Sequence, residues 1–586
     1  MPEISNDRAL LYYQRLAVLG TNKDISTTID KLAELMFTST RHSRTLLKQL
    51  DEKGWIDWQP KVGRNQRSIL HLNHSESTLV VNVASEHISQ GHYEKALQLL
   101  GGDKALFGQV LQQTAGPQVR EGVVHIQLTY DRLLSPLDTT NSLRNSERFL
   151  TRQVFSCLTR CDGEGNVEPD LAHHWRYDSQ ALTWRFYLRP HLRFHDEAPI
   201  DAETIAELFM RLKQHPNYCS LLANVVTICA VGRLCIEFTL SQPEPSFAAL
   251  LADYRFSVLP SAQLENNSVR IGSGPFKLVE HSQEQLDLQA FEHYHGLCAL
   301  SDSVTIWQLP KAGTSSCSTS LSTYDLPTPY DAVCSHLVST ESGTEPSTQA
   351  TPQSRIEDGC LLAMFNHSAA LDSTQRHYLG QLMNSRPVLQ QLSNNDAARV
   401  QGIAAYNLLP SWMKVLIPPA ETSPLPKQLD IAIYQHHALR ASAQVVADLL
   451  LRVGVSCQIN EYSYADFYEL CARHNLEEEI ILTSMSLDDN RPSSAFIWLA
   501  TDRVLRQCLT PSTEQWLQHE LEQVRQQNQS TEYMTVLEPI ASTLVSDRWI
   551  IPLFHHKQTL NFADQLQGVS MTIWGWPDIK NVWVEE

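Results

Sequence analysis

Residues 25–72 read ISTTIDKLAELMFTSTRHSRTLLKQLDEKGWIDWQPKVGRNQRSILHL. The order is a helix, a short turn, a basic helix, a glycine stop at Gly54, then two short strands around a basic loop. The first helix starts after Ser26-Thr27, where Thr27 can cap it with Asp30 as the acidic partner. Ile29, Leu32 and Met36 fall at i, i+3, i+7 and face a core. Phe37-Thr38-Ser39 makes the turn, and Ser39 or Thr40 caps the basic helix. There Leu46, Leu47 and Leu50 point inward. Arg41, Arg44 and Lys48 repeat at the same spacing on another face, with His42 and Thr45 between them. Arginine can bridge guanine O6 and N7, and lysine more often meets phosphate. Gly54 fits the left-handed residue that ends a helix. Residues 55–58 and 68–72 then form a hairpin whose loop KVGRNQR carries Lys61, Arg64 and Arg67, a basic wing suited to sugar-phosphate or the minor groove. A charge stripe alone would be an ordinary solvated face. The order of elements is what points to duplex DNA.

Upstream, residues 7–19 predict a helix with Leu10, Tyr13 and Ala17 on one stripe. Downstream, GHYEKALQLLGG and ALFGQVLQQT carry helical spacing and read as a connector over 74–119. The expected DNA-binding domain is therefore 1–73.

Charge separates this head from the rest. The 586-residue chain has a net charge of −19, which argues against nonspecific coating of nucleic acid by the whole molecule. Residues 1–70 hold 11 Lys and Arg against 8 Asp and Glu, so the head is mildly basic and the remainder strongly acidic. Such length needs more than one core. The first residues carry early acids and no uninterrupted apolar run, which does not read as a secretory signal. The 12 cysteines all lie beyond residue 150. Free thiols in a reducing cytoplasm are expected. Cys157 and Cys161 could share a helix face, but no zinc-type spacing accompanies them. No cofactor or metal is expected.

From residue 120 the period alternates. Val124, Ile126 and Leu128 read as strand, 147–158 as helix, and Trp184, Phe186 and Leu188 as strand. Asp201 caps a helix running through Met210 and Leu212. Strands and helices in alternation imply an α/β body with a mixed sheet. No GxSxG, HExxH, GxxxxGK[ST] or GxGxxG run is present. The adjacent histidine pairs 173–174, 436–437 and 555–556 would diverge on a strand. An enzyme is not expected.

Several stretches carry a resemblance: LSPLDTT, QVFSCLTRCDGEGNVEPDLAHHW, LTWRFYLRPHLRFHDEAPIDAETIAELFMRL and IGSGPFKLVEH. They resemble the extracytoplasmic solute-binding proteins of the peptide and nickel class, family 5. The chain keeps Pro169-Asp170-Leu171-Ala172, Trp175, Phe194-His195-Asp196 and Gly272-Ser273-Gly274-Pro275-Phe276. It departs at Glu197, where glycine is usual and the turn could be reshaped. A winged-helix head on such a body resembles the SgrR-type transcriptional regulators. The resemblance implies a multidomain protein: an α+β winged helix-turn-helix domain, then a two-lobed α/β periplasmic-binding-protein-like domain of type II over 120–586. Lobe I would take about 120–280 and 500–586, and lobe II about 281–500. Residues 311–355, rich in Ser, Thr and Pro, would be a mobile excursion.

The resemblance also implies double-stranded promoter DNA and a small effector, a sugar or sugar phosphate, as partners, and a role as activator and repressor in sugar-phosphate stress. Peptide-binding relatives hold an amine with an aspartate that Asp488 matches, whereas Arg491 stands where they carry a second acid. An arginine there favours an anion. Otherwise Asp488 and Arg491 are a surface turn pair. Trp412, or Trp574 or Trp576, could stack on a ligand, although aromatic residues are more often core. The alternative reading of the body is the binding component of a peptide or solute transporter.

Overall fold

The computed structural model describes all residues except 1–4, 22, 62–66, 104–105, 109, 112–115, 121–122, 131, 265–269, 309–352, 370, 394–401, 561–565 and 585–586. Two compact units emerge, one through residue 118 and one beyond it.

In the first unit, α1 (Asn6–Ala17) leads to β1 (Asp24–Thr27), α2 (Ile29–Leu35), α3 (Thr40–Glu52), β2 (Ile56–Gln59) and β3 (Ser68–Leu72). β3 is central and pairs antiparallel with both β1 and β2. This is the winged-helix arrangement, with β1 as a strand that the periodicity did not reveal. Because β1 occupies Thr27, the cap of α2 moves one residue on: Thr28 Oγ1 accepts from the Lys31 amide at 3.4 Å. Ser39 caps α3 as expected, accepting from the His42 amide. The turn between them passes through Phe37 at φ 54°.

α3 ends where Gly54 adopts φ 70°. The Gly54 amide bonds Asp51 O at 2.9 Å and the Trp55 amide bonds Leu50 O at 3.0 Å. These two reversed bonds satisfy the last carbonyls and aim the chain into β2.

Leu10, Tyr13, Leu16, Leu32, Met36, Leu46, Leu47, Leu50, Ile56, Leu70 and Leu72 form one buried core. α4 (Glu76–Ser89) adds Leu79 and Val83 to it, and the Tyr13 hydroxyl donates to His74 O at 2.6 Å. The expected boundary at residue 73 therefore cuts through a packed unit. α4 is part of the head core, and α5 (Tyr93–Leu99) packs on α4.

The second unit is built on larger sheets. In its first half, Val225–Ala230, Cys235–Leu240, Thr183–Leu188 and Ala172–Asp178 lie in that order, all antiparallel. A second sheet aligns Phe276–His281, Gln285–Ala290, Ser303–Gln308 and Val123–Tyr130, the last pair parallel, so lobe I runs on to about residue 308 and does not end at 280 as expected. The helix Ala202–Gln214 is capped by Asp201, whose carboxylate accepts from the Thr204 amide at 3.0 Å, as its sequence predicts.

The other half is one mixed sheet in the order Gln353–Ile356, Ile550–Leu560, Gly359–Phe365, Ile480–Ser486, Ile431–Tyr434, Ile459–Tyr462. Ile550–Leu560 is thus an inner strand of lobe II, not a part of lobe I as the division at residue 500 would require. Its apolar run Ile550-Ile551-Pro552-Leu553-Phe554 is buried, as an inner strand demands. The chain meets lobe I on both sides of this strand: before it, Arg525 pairs with Glu244 at 2.9 Å and Ser530 Oγ donates to Gly165 O at 2.8 Å; after it, Ile579 O accepts from Ser301 Oγ at 2.7 Å and Trp576 stacks on Phe149 at 5.1 Å. The Ser/Thr/Pro-rich stretch lies outside the described residues up to 352; its end, Gln353–Ile356, is a paired strand.

The motif residues hold lobe I together. Gly272 and Gly274 pass so close to the end of the helix Asn145–Val154 that an added Cβ would stand 2.0 Å from Val154 O and 2.6 Å from Gln153 O. His195 is buried against them, accepting from the Gly272 amide through Nδ1 at 3.2 Å and meeting Gly274 O through Nε2 at 3.0 Å. Asp170 accepts from the Cys157 amide and pairs with His295 at 2.7 Å. Glu197 keeps the turn that glycine usually makes, at φ 70°.

Candidate functional site

On the head, α3 presents its cations away from the core. Arg41, His42, Arg44 and Lys48 are exposed, and Thr45 is half-buried. Arg41 and Arg44 have no ion pair or hydrogen bond among the described residues, so their guanidinium donors are open to a base edge. Lys48 pairs with Glu52 one turn on, at 3.4 Å, an exposed contact worth only ~0.5 kcal/mol that phosphate can replace. Lys61 and Arg67 are exposed at the two ends of the hairpin loop; Arg64 lies outside the described residues. Phe37, expected in the turn, meets Arg15, whose place at this corner had no sequence signal. Phe37 is 81% exposed at the helix-turn-helix corner, and the Arg15 guanidinium lies 5.1 Å from its ring.

In the second unit a cleft opens between the lobes. A cavity of about 150 Å³ is lined by Arg132, Ser142, Arg144, Asn145, Arg148, Tyr254 and Arg255 from lobe I, and by Tyr434, His436, Tyr464, Tyr468, Ser484, Trp498 and Asp502 from lobe II. A neighbouring cavity of about 380 Å³ shares Ser142, Arg255, Tyr468, Trp498 and Asp502 and extends the cleft past Thr139, Asn217 and Arg503. Rings and arginines dominate the narrower part. Burial beside His437, Arg132, His556 and Arg144 holds His436 well below its ordinary pKa, in the neutral form. Burial also raises the Asp502 carboxyl to about 6, against the pull of the Leu505 and Val504 amides, Arg506 and Arg255.

The sequence candidates for this site fare differently. Asp488 is buried, but it does not line the cleft: one oxygen pairs with Arg148 at 3.1 Å and the other accepts from Trp574 Nε1 at 2.9 Å. It joins the lobes, together with Arg152 and Asp489 at 2.7 Å. Nor is it a surface turn. Arg491 opens the helix Arg491–Thr501 and pairs with Glu164 and Asp358, each at 3.4 Å, so its charge is already met. Trp412 is core; its indole donates to Met534 O at 2.9 Å and it lines neither cavity.

Cys157 and Cys161 share no helix, since Cys161 ends a strand. His436 and His437 lie at a helix start, not on a strand, with rings 5.1 Å apart. Of the cleft residues, the pairs Arg144/Arg148 and Tyr464/Tyr468 had a local signal, spacing i, i+4 at or on one helix. The others converge from segments far apart in the chain.

Comparison with known proteins follows this division. Residues 8–122 match the family model "Sugar transport-related sRNA regulator N-term". Residues 166–316 match "Bacterial extracellular solute-binding proteins, family 5 Middle". The chain joins an SgrR N-terminal domain to a family 5 solute-binding domain. It is 29% identical to the HTH-type transcriptional regulator SgrR of Yersinia enterocolitica, over 97% of both chains. To the SgrR of an Escherichia coli strain it is 28% identical, over 96% of both.

Among solved structures the fold resembles the oligopeptide-binding protein AppA of Bacillus subtilis, with a TM-score of 0.61 and 15% identity over 79% of this chain and 99% of that one. It also resembles the murein tripeptide binding protein MppA of Escherichia coli, with a TM-score of 0.59 and 16% identity over 80% and 99%. At this identity the likeness shows the fold alone. It covers about the share of the chain that the solute-binding unit occupies, leaving the SgrR N-terminal domain as the added part.

Proposed function

We propose that the chain is a cytoplasmic DNA-binding transcriptional regulator of the SgrR type, not an enzyme. Its head reads promoter DNA through α3 and the wing, and its family 5 domain senses a small solute in the interlobe cleft. The observation that carries this reading is α3 itself. It has a sealed leucine face, a capped start, and Arg41 and Arg44 open on the opposite side. The relatives named as HTH-type transcriptional regulators along nearly the whole chain support it. The name of the N-terminal model supports an effector related to sugar transport, a sugar or sugar phosphate, and hence a role in sugar-phosphate stress.

Duplexes selected from a random pool by the full chain provide the test. Arg41→Ala and Arg44→Ala are each expected to cost about 1–3 kcal/mol on the selected duplex and to relax preference at one position. Lys61→Ala should weaken binding to every sequence alike and reduce the salt dependence. Anisotropy titrations in which none of the three variants differs from the parent would remove DNA reading from this face.

A further inference from the structure

We propose that the interlobe cleft is an oxyanion site, and that its solute carries a phosphate-ester or carboxylate group seated on Arg144 and the N-terminus of the helix Asn145–Val154. The proposal rests on the solute-sensing reading and decides the charge of the solute.

The arginines of the cleft are not equivalent. Arg148 is committed to Asp488 and Ser486 O, both at 3.1 Å. Arg255 pairs with Asp253 at 3.2 Å, and Arg132 donates through Nε to the Tyr130 hydroxyl at 2.7 Å. Arg144 is half-buried and lines the cavity, yet it has no hydrogen bond or ion pair among the described residues. Its guanidinium lies 4.5 Å from the Tyr464 ring centre, a contact that fixes the plane of the group without using its donors. A half-buried cation without a counter-ion is costly, and a bound anion would supply one.

A second feature converges on the same place. Arg144 is the N-cap of a ten-residue helix, and no side chain caps it. Most helices here begin with a Ser, Thr, Asp or Asn side chain that accepts a first-turn amide; this one begins at the cavity wall, with Asn145 beside Arg144. The first-turn acid, Glu147, accepts instead from the Ser135 amide at 3.0 Å. Open amides and the positive end of the helix dipole suit an oxyanion.

The cleft also selects against an amine. Asp488, behind the wall, has both oxygens occupied; of the acids that line the two cavities, Asp502 accepts from the Leu505 amide at 2.9 Å as a helix cap, and Glu514 pairs with Arg506 at 3.6 Å. A peptide amino-terminus finds no unpaired carboxylate among the described lining residues. The smaller cavity of about 150 Å³ fits a phosphate or carboxylate, with room for the rest of the solute in the neighbouring one.

The experiment uses the full chain with inorganic phosphate and succinate as probes, against sodium chloride at matched ionic strength. Tryptophan fluorescence, to which Trp498 in the cleft wall contributes, and the melting temperature are followed. A saturable response to either oxyanion is expected. Arg144→Gln should weaken it at least tenfold and Arg144→Lys should restore part of it, with each variant's melt in chloride reporting that it is folded. A response to phosphate alone assigns the ester, and a response to succinate alone assigns the carboxylate. Phosphate and succinate acting no differently from chloride, or Arg144→Gln binding like the parent, would overturn the proposal. Native mass spectrometry of the purified chain separates the two readings: release of an uncharged solute ends the oxyanion assignment and leaves solute sensing intact.

Discussion

His195 illustrates how a sequence motif becomes a titration. Its ring is buried, with Nδ1 accepting from Gly272 and Nε2 against Gly274 O. Only the neutral form satisfies both, and burial, with a smaller push from Lys277, lowers its pKa to about 4. An unfolded histidine takes up its proton near pH 6.5. The unfolded state therefore binds more protons between these values. The stabilisation is fully present above pH 6.5 and is lost as pH falls toward 4. Between pH 7 and 4.5 the parent should lose about 2–3 kcal/mol more stability than His195→Asn loses over the same range. Buried acids such as Asp502, with its pKa raised, titrate in the opposite sense, so the comparison in urea unfolding at the two pH values must be between variants. Equal losses would show that the ring is not neutral in the fold.

Glu197 is the complementary case. The family pattern has glycine there, and φ at 70° explains why. Glutamate keeps the turn at a steric cost, offset in part by contacts to His293 at 3.1 Å and Arg193 at 3.8 Å, both exposed. Glu197→Gly should raise stability by about 0.5–1 kcal/mol, read as a higher melting temperature, because exposed pairs return less than the strain.

At the scale of elements, what was legible depended on local chemistry. The Ser39 cap, the Gly54 stop, the leucine face of α3 and the Asp201 cap are each set by residues within a few positions. Their expected places hold to within a residue or two. β1 escaped because its four residues, DIST, carry no clear alternation; pairing with β3 makes it a strand. Thr28 then displaced Thr27 as the cap. Gly54→Ala tests the stop cleanly. An added Cβ there meets nothing within 4 Å, so the cost is conformational alone, about 1 kcal/mol.

The cleft was illegible for the reason that the lobes are interleaved. Asp488 matched a ligand position in the linear pattern, but only the fold brings Arg148, more than three hundred residues earlier, to its carboxylate. Trp412 was chosen for its ring, and the fold uses that ring in the core. Removing one partner of a buried pair leaves the other unmatched. Asp488→Ala should therefore destabilise the solute-binding unit by about 3–5 kcal/mol, measured by urea unfolding. A variant as stable as the parent would return Asp488 to the list of ligand contacts.

For the whole molecule the question is whether the two units exchange free energy. The two units differ in charge: residues 1–70 are net positive within a chain of net charge −19. Solute can act on DNA binding only if it favours one lobe arrangement, and that arrangement must differ in its effect on the head; tight binding alone moves nothing. The coupling is reciprocal, so one factor describes both directions. With the probe anion at saturation, the Kd of the full chain for its selected duplex is expected to change by about 5–150-fold. The same factor should appear in the Kd for the anion when the duplex is saturating. Arg144→Gln, which removes the proposed anion contact and leaves α3 untouched, should bind the duplex like the solute-free parent at every anion concentration. An unchanged duplex Kd in the parent, with anion binding verified by fluorescence, would mean that the cleft and α3 work independently.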